Sequence, residues 1–269
     1  MSDQTPDTAY QIITFYEFKK LAALGGPEAL KPLLQQAMAD HGVRGTIILA
    51  DEGFNSTVCG TKDAIQPFIL EVERIFQTKL VYKSSFHEER PLRKIDVKVR
   101  PEIVTLRRPV DISLGKGTHV QAAKWNEIIS SEDTLVLDTR NDYEYRNGTF
   151  RGAVNPGTVK FSELPEFVEK NLDPDKHKNV AMFCTGGIRC EKFAPYMKSL
   201  GFENVYQLEG GILKYLEETA DGESLWEGEC FVFDDRRTVD GQLRQGSGPD
   251  YSNRKPADHT PTKVYWKGK

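Results

Sequence analysis

The segment Cys184–Arg189 brings a thiol, two glycines and a guanidinium together within six residues. It follows the apolar run Val180–Phe183, which is typical of a buried strand, and a helical pattern begins directly after it. Glycine backbone in the connecting loop lets N–H groups turn toward the sulfur. Because those groups, the start of the next helix and Arg189 all present positive charge, we expect the pKa of the Cys184 thiol to lie below its free value of about 8.5. The spacing predicts a reactive thiolate.

The thiol-bearing loop therefore supplies the candidate catalytic residue, Cys184. The predicted active-site loop around it consists of Thr185, Gly186, Gly187, Ile188 and Arg189. A lone cysteine after an apolar run is commonly a small buried hydrophobe, but the Gly-Gly-Ile-Arg sequence beside Cys184 argues against that reading. Cys190 lies on the first turn of the predicted helix, where it is either a resolving thiol or an ordinary helical residue. The sequence leaves these two roles open.

The cysteine count limits the other chemistry available to the chain. Its four cysteines, at positions 59, 184, 190 and 230, form no C-x-x-C pair and show no zinc-ligand spacing. No apolar run approaches the roughly 18 residues that span a membrane, and Met1–Asp7 is polar and acidic, unlike a signal peptide. We therefore expect a cytoplasmic protein with one reactive thiol, no disulfide scaffold and no metal.

Charge is unevenly distributed along a chain whose formal net charge is −4. Between Lys79 and Arg108 there are nine basic residues and four acidic ones, a local net charge of +5. A basic segment in an acidic chain is a candidate phosphate-binding strip. A solvated strand face accounts for the same composition equally well. The candidate contacts in the strip are Arg93, Lys94, Lys98 and Arg100.

Residues 1–108 show strands interleaved with two amphipathic helices. The helices carry their apolar residues at i, i+3 and i+4 spacings, and alternation marks the strands. Helices packed on one face of a small, largely antiparallel sheet form an α+β, ferredoxin-like domain. The predicted strands are Tyr10–Phe18, Val43–Ala50, Lys79–Tyr82 and Ile95–Val99, with a further strand that follows the turn at Asp51–Val58. The predicted helices contain Leu30–Met38 and Asp63–Phe76.

After a linker at residues 109–123, which contains Gly115-Lys116-Gly117, the pattern changes. Strands and helices alternate over residues 124–220, which predicts an α/β domain with a parallel sheet covered on both faces. Ligands of such sheets bind beyond the carboxyl ends of the strands, where Cys184 falls. Residues 221–269 form a C-terminal tail with one short strand near Cys230. The strands predicted in this domain are Leu135–Leu137, Ala153–Asn155, Val180–Phe183 and Val205–Leu208; the helices are Ser162–Leu172, the one ending at Leu200, and Ile212–Thr219.

Short motifs of this second domain resemble the signatures of the rhodanese fold. They are Asp138-Thr139-Arg140 followed by Glu144, the run Gly148–Ala153, and the run Leu208–Ile212. The resemblance implies a rhodanese-like domain in which Asp138 and Arg140 form a buried structural pair. A structural pair is favoured because an unpaired buried charge is costly.

Three longer segments narrow the resemblance. Cys184–Lys192, Glu52–Thr57 and Gly228–Asp234 resemble the oxygen-dependent tRNA uridine 5-hydroxylases, which act on the wobble position, and the likeness extends to about residue 240. It implies tRNA as partner, molecular oxygen as co-substrate, neither metal nor flavin, and Cys184 as the essential residue. The basic strip would then contact tRNA. Many members carry paired cysteines near the C-terminus, whereas this chain has none after Cys230.

Other functions fit parts of the same pattern. A thiolate in a rhodanese loop can carry a persulfide, so a sulfurtransferase is the main alternative. A cysteine phosphatase, with its Cys-x5-Arg spacing, would need arginine at position 190, where this chain has Cys190. A rhodanese module used only for binding has no need of both Cys184 and Arg189. The sequence therefore favours the hydroxylase and keeps sulfur transfer as the alternative.

Overall fold

The computed structural model of the chain describes residues 9–111, 114–219, 222–253 and 261–264. The polar N-terminal heptapeptide lies outside these ranges. The chain divides into two compact units: the first contains the residues up to Val104 together with Phe233–Arg236, and the second contains Thr105–Val232 and the residues from Arg237 onward. None of the helices in the described ranges is long and apolar enough to cross a membrane.

The first unit confirms the predicted ferredoxin-like layer. Its sheet has the strand order β4-β1-β3-β2-β5, and all neighbours are antiparallel except β2 and β5. The two helices follow the first and third strands, which is the arrangement expected of a βαββαβ unit. The elements are β1 (Tyr10–Phe18), α1 (Gly26–Asp40), β2 (Arg44–Ala50), β3 (Gly53–Thr61), α2 (Lys62–Phe76), β4 (Tyr82–His87) and β5 (Ile95–Val99).

Alternation along the strands turns one set of apolar side chains toward the helices. Ile13 and Phe15 of β1 are fully buried there, with Phe54 of β3. The helical spacing of Ile65, Phe68, Ile69, Val72 and Ile75 predicts that they form the inner face of α2, and all five are buried. On α1, by contrast, Leu33 is 53% exposed, because it lies at the edge of the stripe formed by Leu30 and the three buried residues that follow it.

The second unit has the predicted parallel sheet at its centre. The strand order is β6-β10-β9-β7, and every neighbouring pair is parallel. Two small antiparallel pairs, β8 with β11 and β12 with β13, complete it. The elements are β6 (Thr118–Val120), α3 (Ala122–Ile129), β7 (Thr134–Asp138), α4 (Asp142–Tyr145), β8 (Gly148–Phe150), α5 (Leu164–Asn171), β9 (Asn179–Phe183), α6 (Ile188–Ser199), β10 (Asn204–Leu208), α7 (Gly211–Glu218), β11 (Trp226–Gly228), β12 (Cys230–Phe231) and β13 (Thr238–Val239).

Aromatic side chains fix the end of the central strand β9. The ring of Phe183, its last residue, meets Phe150 edge-on at a centroid distance of 4.9 Å and Trp125 at 6.2 Å. All three rings are fully buried. Edge-to-face packing of this kind adds to the stabilisation from burial alone, so the strand end that delivers the next residue is rigidly held.

Two strand predictions were wrong in position or extent. The strand expected at Lys79–Tyr82 is β4, at Tyr82–His87, an edge strand with few apolar residues to mark it. The strand expected at Ala153–Asn155 reduces to a single parallel bridge between Leu137 and Val154.

The helices also differ from expectation in detail. The helix predicted at Ser162–Leu172 begins at Leu164 instead, because Ser162 lies inside a short 3-10 turn, Phe161–Glu163, that leads directly into α5. Pro195 lies within α6, which nevertheless begins at Ile188 and continues past the proline to Ser199. A proline inside a helix can kink it or delay its start, but the start of α6 beside the glycine loop is not delayed.

Candidate active site

Cys184 lies where the sequence places it, at the carboxyl edge of the parallel sheet. It directly follows β9, which is flanked by β10 and β7. The residue is 1% exposed, so its sulfur is surrounded by protein. A buried thiol can ionise only where the protein supplies compensating donors or charge, and the loop that follows provides both.

The loop wraps its N–H groups around the sulfur. Gly187 adopts a left-handed conformation with φ of +96°, which favours glycine, and its N–H donates to the Cys184 sulfur at 3.1 Å. The N–H groups of Arg189 and Cys190, on the first turn of α6, also bind the sulfur. Together they form the kind of concave anion site that helix N-termini create. The structure therefore brings the predicted loop and thiol together.

The start of α7 holds the opposite side of the loop. The N–H of Ile212 donates to the carbonyl oxygen of Cys184 at 3.0 Å, and the N–H of Leu213 donates to that of Thr185 at 3.1 Å. Gly211 makes this approach possible, because a Cβ there would lie 2.5 Å from the Cys184 carbonyl oxygen. Both loop carbonyls are thus bonded away from the thiol. Sequence reasoning had not counted Gly211 as a site residue.

The two thiols of the site differ in ionisation. Burial opposes ionisation of Cys184, but a hydrogen bond from the Cys190 thiol, the charge of Arg189 and the N–H donors outweigh it and lower the Cys184 pKa to about 6. Burial and the adjoining Cys184 thiolate raise the pKa of Cys190. Cys190 therefore remains the protonated donor, with the Thr139 hydroxyl oxygen 3.5 Å from its sulfur. The expected reactive thiolate is Cys184.

Arg189 is held by a partner that sequence reasoning missed. Its Nη1 and Nη2 donate to Oε2 and Oε1 of Glu144 at 2.7 and 3.0 Å. Glu144 is fully buried and also accepts from the Asn141 N–H at 3.0 Å and the Thr185 hydroxyl at 3.4 Å. Although burial disfavours the charge on Arg189, the pairing with Glu144 and the nearby thiolate raise its pKa. Glu144 therefore anchors both the arginine and the loop.

Asp138 and Arg140 form the buried pair that the sequence predicts. Arg140 Nη2 lies 2.6 Å from Asp138 Oδ2, and neither residue is exposed. The same nitrogen donates to the carbonyl oxygen of Gly148 at 2.6 Å, and the guanidinium lies 5.1 Å from the Trp226 ring centre. Because Arg140 contacts Asp138 of β7, Gly148 of β8 and Trp226 of β11, the pair has a structural role.

Cys230 and Cys59, the remaining thiols, are buried in positions that suppress ionisation. Burial raises the pKa of Cys230 to about 12 and also raises that of Cys59. Both thiols are therefore neutral at the pH at which Cys184 is ionised.

The four candidate phosphate contacts lie along one strand of the first unit. Arg93 and Lys94 precede β5 and are exposed, Lys98 lies within it, and Arg100 follows it and is exposed. Arg93 pairs with Asp235 at 2.9 Å, and Lys98 pairs with Asp96 at 2.6 Å.

Comparison with known proteins divides the chain in the same way. Residues 10–103 match the UPF0176 acylphosphatase like domain, and residues 121–218 match the rhodanese-like domain. A protein of Teredinibacter turnerae named tRNA uridine(34) hydroxylase is 50% identical over 240 residues, which are 88% of this chain and 74% of that protein.

Solved structures resemble each half separately. A rhodanese-like domain from Anabaena sp. is 20% identical over 41% of this chain and 78% of its own, with a TM-score of 0.34. An acylphosphatase from Bacillus subtilis is 15% identical over 34% of this chain and 98% of its own, with a TM-score of 0.25.

Proposed function

The chain belongs to the tRNA uridine(34) hydroxylase family, and we propose that it hydroxylates C5 of the wobble uridine of tRNA, with molecular oxygen as co-substrate. The observation that carries this proposal is the buried Cys184, whose pKa of about 6 keeps it ionised at neutral pH. C5 of uracil reacts poorly with oxygen until C6 gains a nucleophile, which turns C5 into an enolate-like carbon. A positioned thiolate is well suited to that addition.

The first step is addition of the Cys184 sulfur to C6, which moves the electron pair of the ring double bond toward C5. As the sulfur loses its charge, the loop N–H groups are free to bind developing negative charge on the substrate. The charge of Arg189 keeps the thiolate ionised. Both Nη atoms of Arg189 donate to the carboxylate of Glu144, which holds the arginine in place. The arginine thus acts on the nucleophile and not on the base.

Oxygen then accepts the electron pair on C5 and forms a C5 hydroperoxide. Loss of the C5 proton and departure of Cys184 from C6 restore the ring double bond. The released thiolate takes the terminal oxygen of the hydroperoxide, which leaves a hydroxyl on C5 and a sulfenic acid on Cys184. Cys190 resolves that acid by attacking its sulfur, and water leaves as the disulfide forms. Each turnover consumes one oxygen molecule and two thiols, and a cellular dithiol reduces the disulfide.

Cys190 fits the resolving role because it already adjoins Cys184 as a hydrogen-bond donor. Its raised pKa keeps it protonated while Cys184 attacks. Attack on the sulfenic acid then joins the Cys190 sulfur to the Cys184 sulfur, and the sulfenic hydroxyl leaves as water. The resolving assignment therefore asks for little movement of the loop.

The test is nucleoside mass spectrometry of unmodified tRNA incubated with the protein, a dithiol and ¹⁸O-labelled oxygen. We expect 5-hydroxyuridine that carries the heavy isotope. Cys184→Ser should abolish it, Cys190→Ser should retain part of it because the external dithiol can substitute, and Cys59→Ala is the matched control with full activity.

Two outcomes would overturn the proposal. Hydroxylation by Cys184→Ser at the wild-type rate would remove the thiolate from the mechanism. Thiosulfate:cyanide sulfurtransferase activity without any 5-hydroxyuridine would favour the persulfide alternative.

A further inference from the structure

The helix that carries Glu144 is too short to fix its own position. α4 has four residues, and helices shorter than about 12 residues are marginal in isolation because the first turn fixes several residues for one hydrogen bond. Glu144 nevertheless places both carboxylate oxygens on Arg189. The groups that pack against α4 therefore decide where this carboxylate lies, and through it where the charge of Arg189 lies.

One support of α4 is the loop that contains Asn155 and Thr158. Asp142, the first residue of α4, is fully buried. Its N–H donates to the carbonyl oxygen of Thr158 at 2.8 Å, and its Oδ1 accepts from Asn155 Nδ2 at 2.9 Å. Because burying a carboxylate is costly unless its hydrogen-bond partners are in place, the position of α4 depends on the position of Asn155.

A segment near the C-terminus binds that loop in turn. We call residues 261–264 the C-terminal strap. The Thr262 N–H donates to the carbonyl oxygen of Asn155 at 2.8 Å, and the Asn155 N–H donates to the Thr262 hydroxyl oxygen at 3.0 Å. These two bonds satisfy both backbone polar groups of Asn155, which is 5% exposed. The Thr262 side chain also hydrogen-bonds the side chain of Tyr145, the last residue of α4.

Gly157 allows the C-terminal strap to approach the loop closely. A Cβ at this position would lie 2.8 Å from the Pro261 nitrogen and 3.1 Å from its Cα, and φ is +68°. Both the close approach and the left-handed backbone favour glycine here. The strap is thus packed against the loop as well as hydrogen-bonded to it.

We propose that the C-terminal strap is a positioning element of the active site. By binding Asn155 and Tyr145, the strap fixes α4 and the Glu144 carboxylate. That carboxylate holds Arg189 beside the Cys184 thiolate. The inference concerns the placement of a charge near the thiol, so it goes beyond the proposed hydroxylation and does not depend on it.

Displacement of the strap should make Cys184 harder to ionise. Burial already opposes ionisation, and the charge of Arg189 is among the groups that lower the Cys184 pKa to about 6. When α4 is loosened, Glu144 no longer holds the guanidinium near the sulfur. An opposite charge that moves away stabilises the thiolate less, so the pKa rises. Replacing the carboxylate by an amide is a different change, because the amide stays in place and only the negative charge is lost.

The experiment measures how alkylation of Cys184 by iodoacetamide depends on pH in the full chain. Thr262→Val removes the hydroxyl that binds Asn155 and Tyr145, whereas Thr262→Ser keeps it. We expect the midpoint for Thr262→Val to rise by about one pH unit, which lowers the rate at pH 6 about fivefold. Thr262→Ser should match the wild type. A loss of stability alone would not move this midpoint in the folded protein.

A substitution in the loop displaces the strap by a second route. The Cβ added by Gly157→Ala would overlap Pro261, and the same shift of the midpoint is expected. Gly152→Ala is the matched control, because φ there is +77° and a Cβ meets nothing within 4 Å. Both variants introduce similar backbone strain, but only the first disturbs the strap. A wild-type midpoint in folded Thr262→Val and Gly157→Ala proteins would overturn the inference.

Hydrogen exchange tests the same link in the wild-type protein. If the strap supports α4, the amide hydrogens of Thr262, Asn155 and Asp142 should exchange at rates within about a factor of ten, because they open as one unit. Exchange of the Thr262 amide at the rate of an unstructured peptide, with Asp142 still protected, would overturn the inference. Shifted midpoints in the variants of a protein that makes no 5-hydroxyuridine would support the inference and overturn the proposed function alone.

Discussion

Arg189 and Glu144 form a buried bidentate ion pair, with Nη1 2.7 Å from Oε2 and Nη2 3.0 Å from Oε1. The guanidinium is one of the groups that lower the pKa of Cys184. The positive charge of Arg189 therefore stabilises the thiolate, while the carboxylate of Glu144 partly neutralises that charge. Ionisation of the nucleophile depends on the pair and not on the arginine alone.

We expect Glu144→Gln to lower the pKa of Cys184 further, because the charge of Arg189 is then uncompensated near the thiolate. The rate of alkylation of Cys184 by iodoacetamide at pH 5 should rise severalfold over the wild type. Arg189→Gln should change that rate in the opposite direction. Loss of the buried pair should also destabilise either variant by about 3–5 kcal/mol, so the rates are compared below the unfolding temperature. Equal alkylation profiles in both variants would contradict the coupling.

The pH dependence of the wild-type thiol is a separate prediction. Because the pKa of Cys184 is lowered to about 6, its alkylation rate should rise with pH and reach half its maximum near pH 6. Burial raises the pKa of Cys230 to about 12 and also raises that of Cys190, so peptide mass spectrometry should find the adduct on Cys184. Cys184→Ser should lose this phase. A midpoint near pH 8.5, the free thiol value, would show that the loop donors do not act on the sulfur.

Gly211→Ala should lower the free energy of unfolding by about 2–4 kcal/mol. The added Cβ would lie 2.5 Å from the Cys184 carbonyl oxygen and 2.7 Å from the Gly187 nitrogen, and φ at this position is +71°. These neighbours are backbone atoms, which cannot move aside as a side-chain tip can. Gly222→Ala, which meets nothing within 4 Å, is the control. Urea unfolding midpoints that agree for the two variants would contradict the close approach.

Charge reversal at Arg93 and Lys94 tests the basic strip. The double change to glutamate should weaken tRNA binding and reduce the slope of log affinity against log salt, because fewer counterions are released. Fluorescence anisotropy over a salt series measures both quantities. The same reversal at exposed Lys20 and Lys62 controls for net charge. Unchanged affinity and slope in the Arg93 and Lys94 variant would place the RNA elsewhere.

The sequence predicts the loop because its information is local. The apolar run before Cys184, the glycines after it and the start of α6 are consecutive residues, and local backbone chemistry decides their conformation. The same holds for the inner face of α2, whose five apolar residues follow one helical period. Short-range pattern was sufficient for both.

What the sequence could not show is pairing between distant residues. Glu144 meets Arg189 across 45 positions, and Gly211 touches the Cys184 loop from another helix. Nothing in the spacing of either residue marks its partner. The predicted position of β4 was wrong for a related reason. An edge strand with one neighbour needs few apolar residues, so the alternation of apolar and polar residues that marks a strand in the sequence is weak there.

The return of Phe233–Arg236 to the first unit has a consequence for biosynthesis. Within that unit Asp234 and Arg236 form a nearly inaccessible ion pair, and the Asp235 N–H donates to the carbonyl oxygen of Pro91 at 3.0 Å. A nascent chain that has emerged only as far as Val104 therefore lacks a piece of its own N-terminal unit. That unit is completed only after residues 105–232 of the second unit have been translated. Its final folding step therefore follows the synthesis of most of the chain.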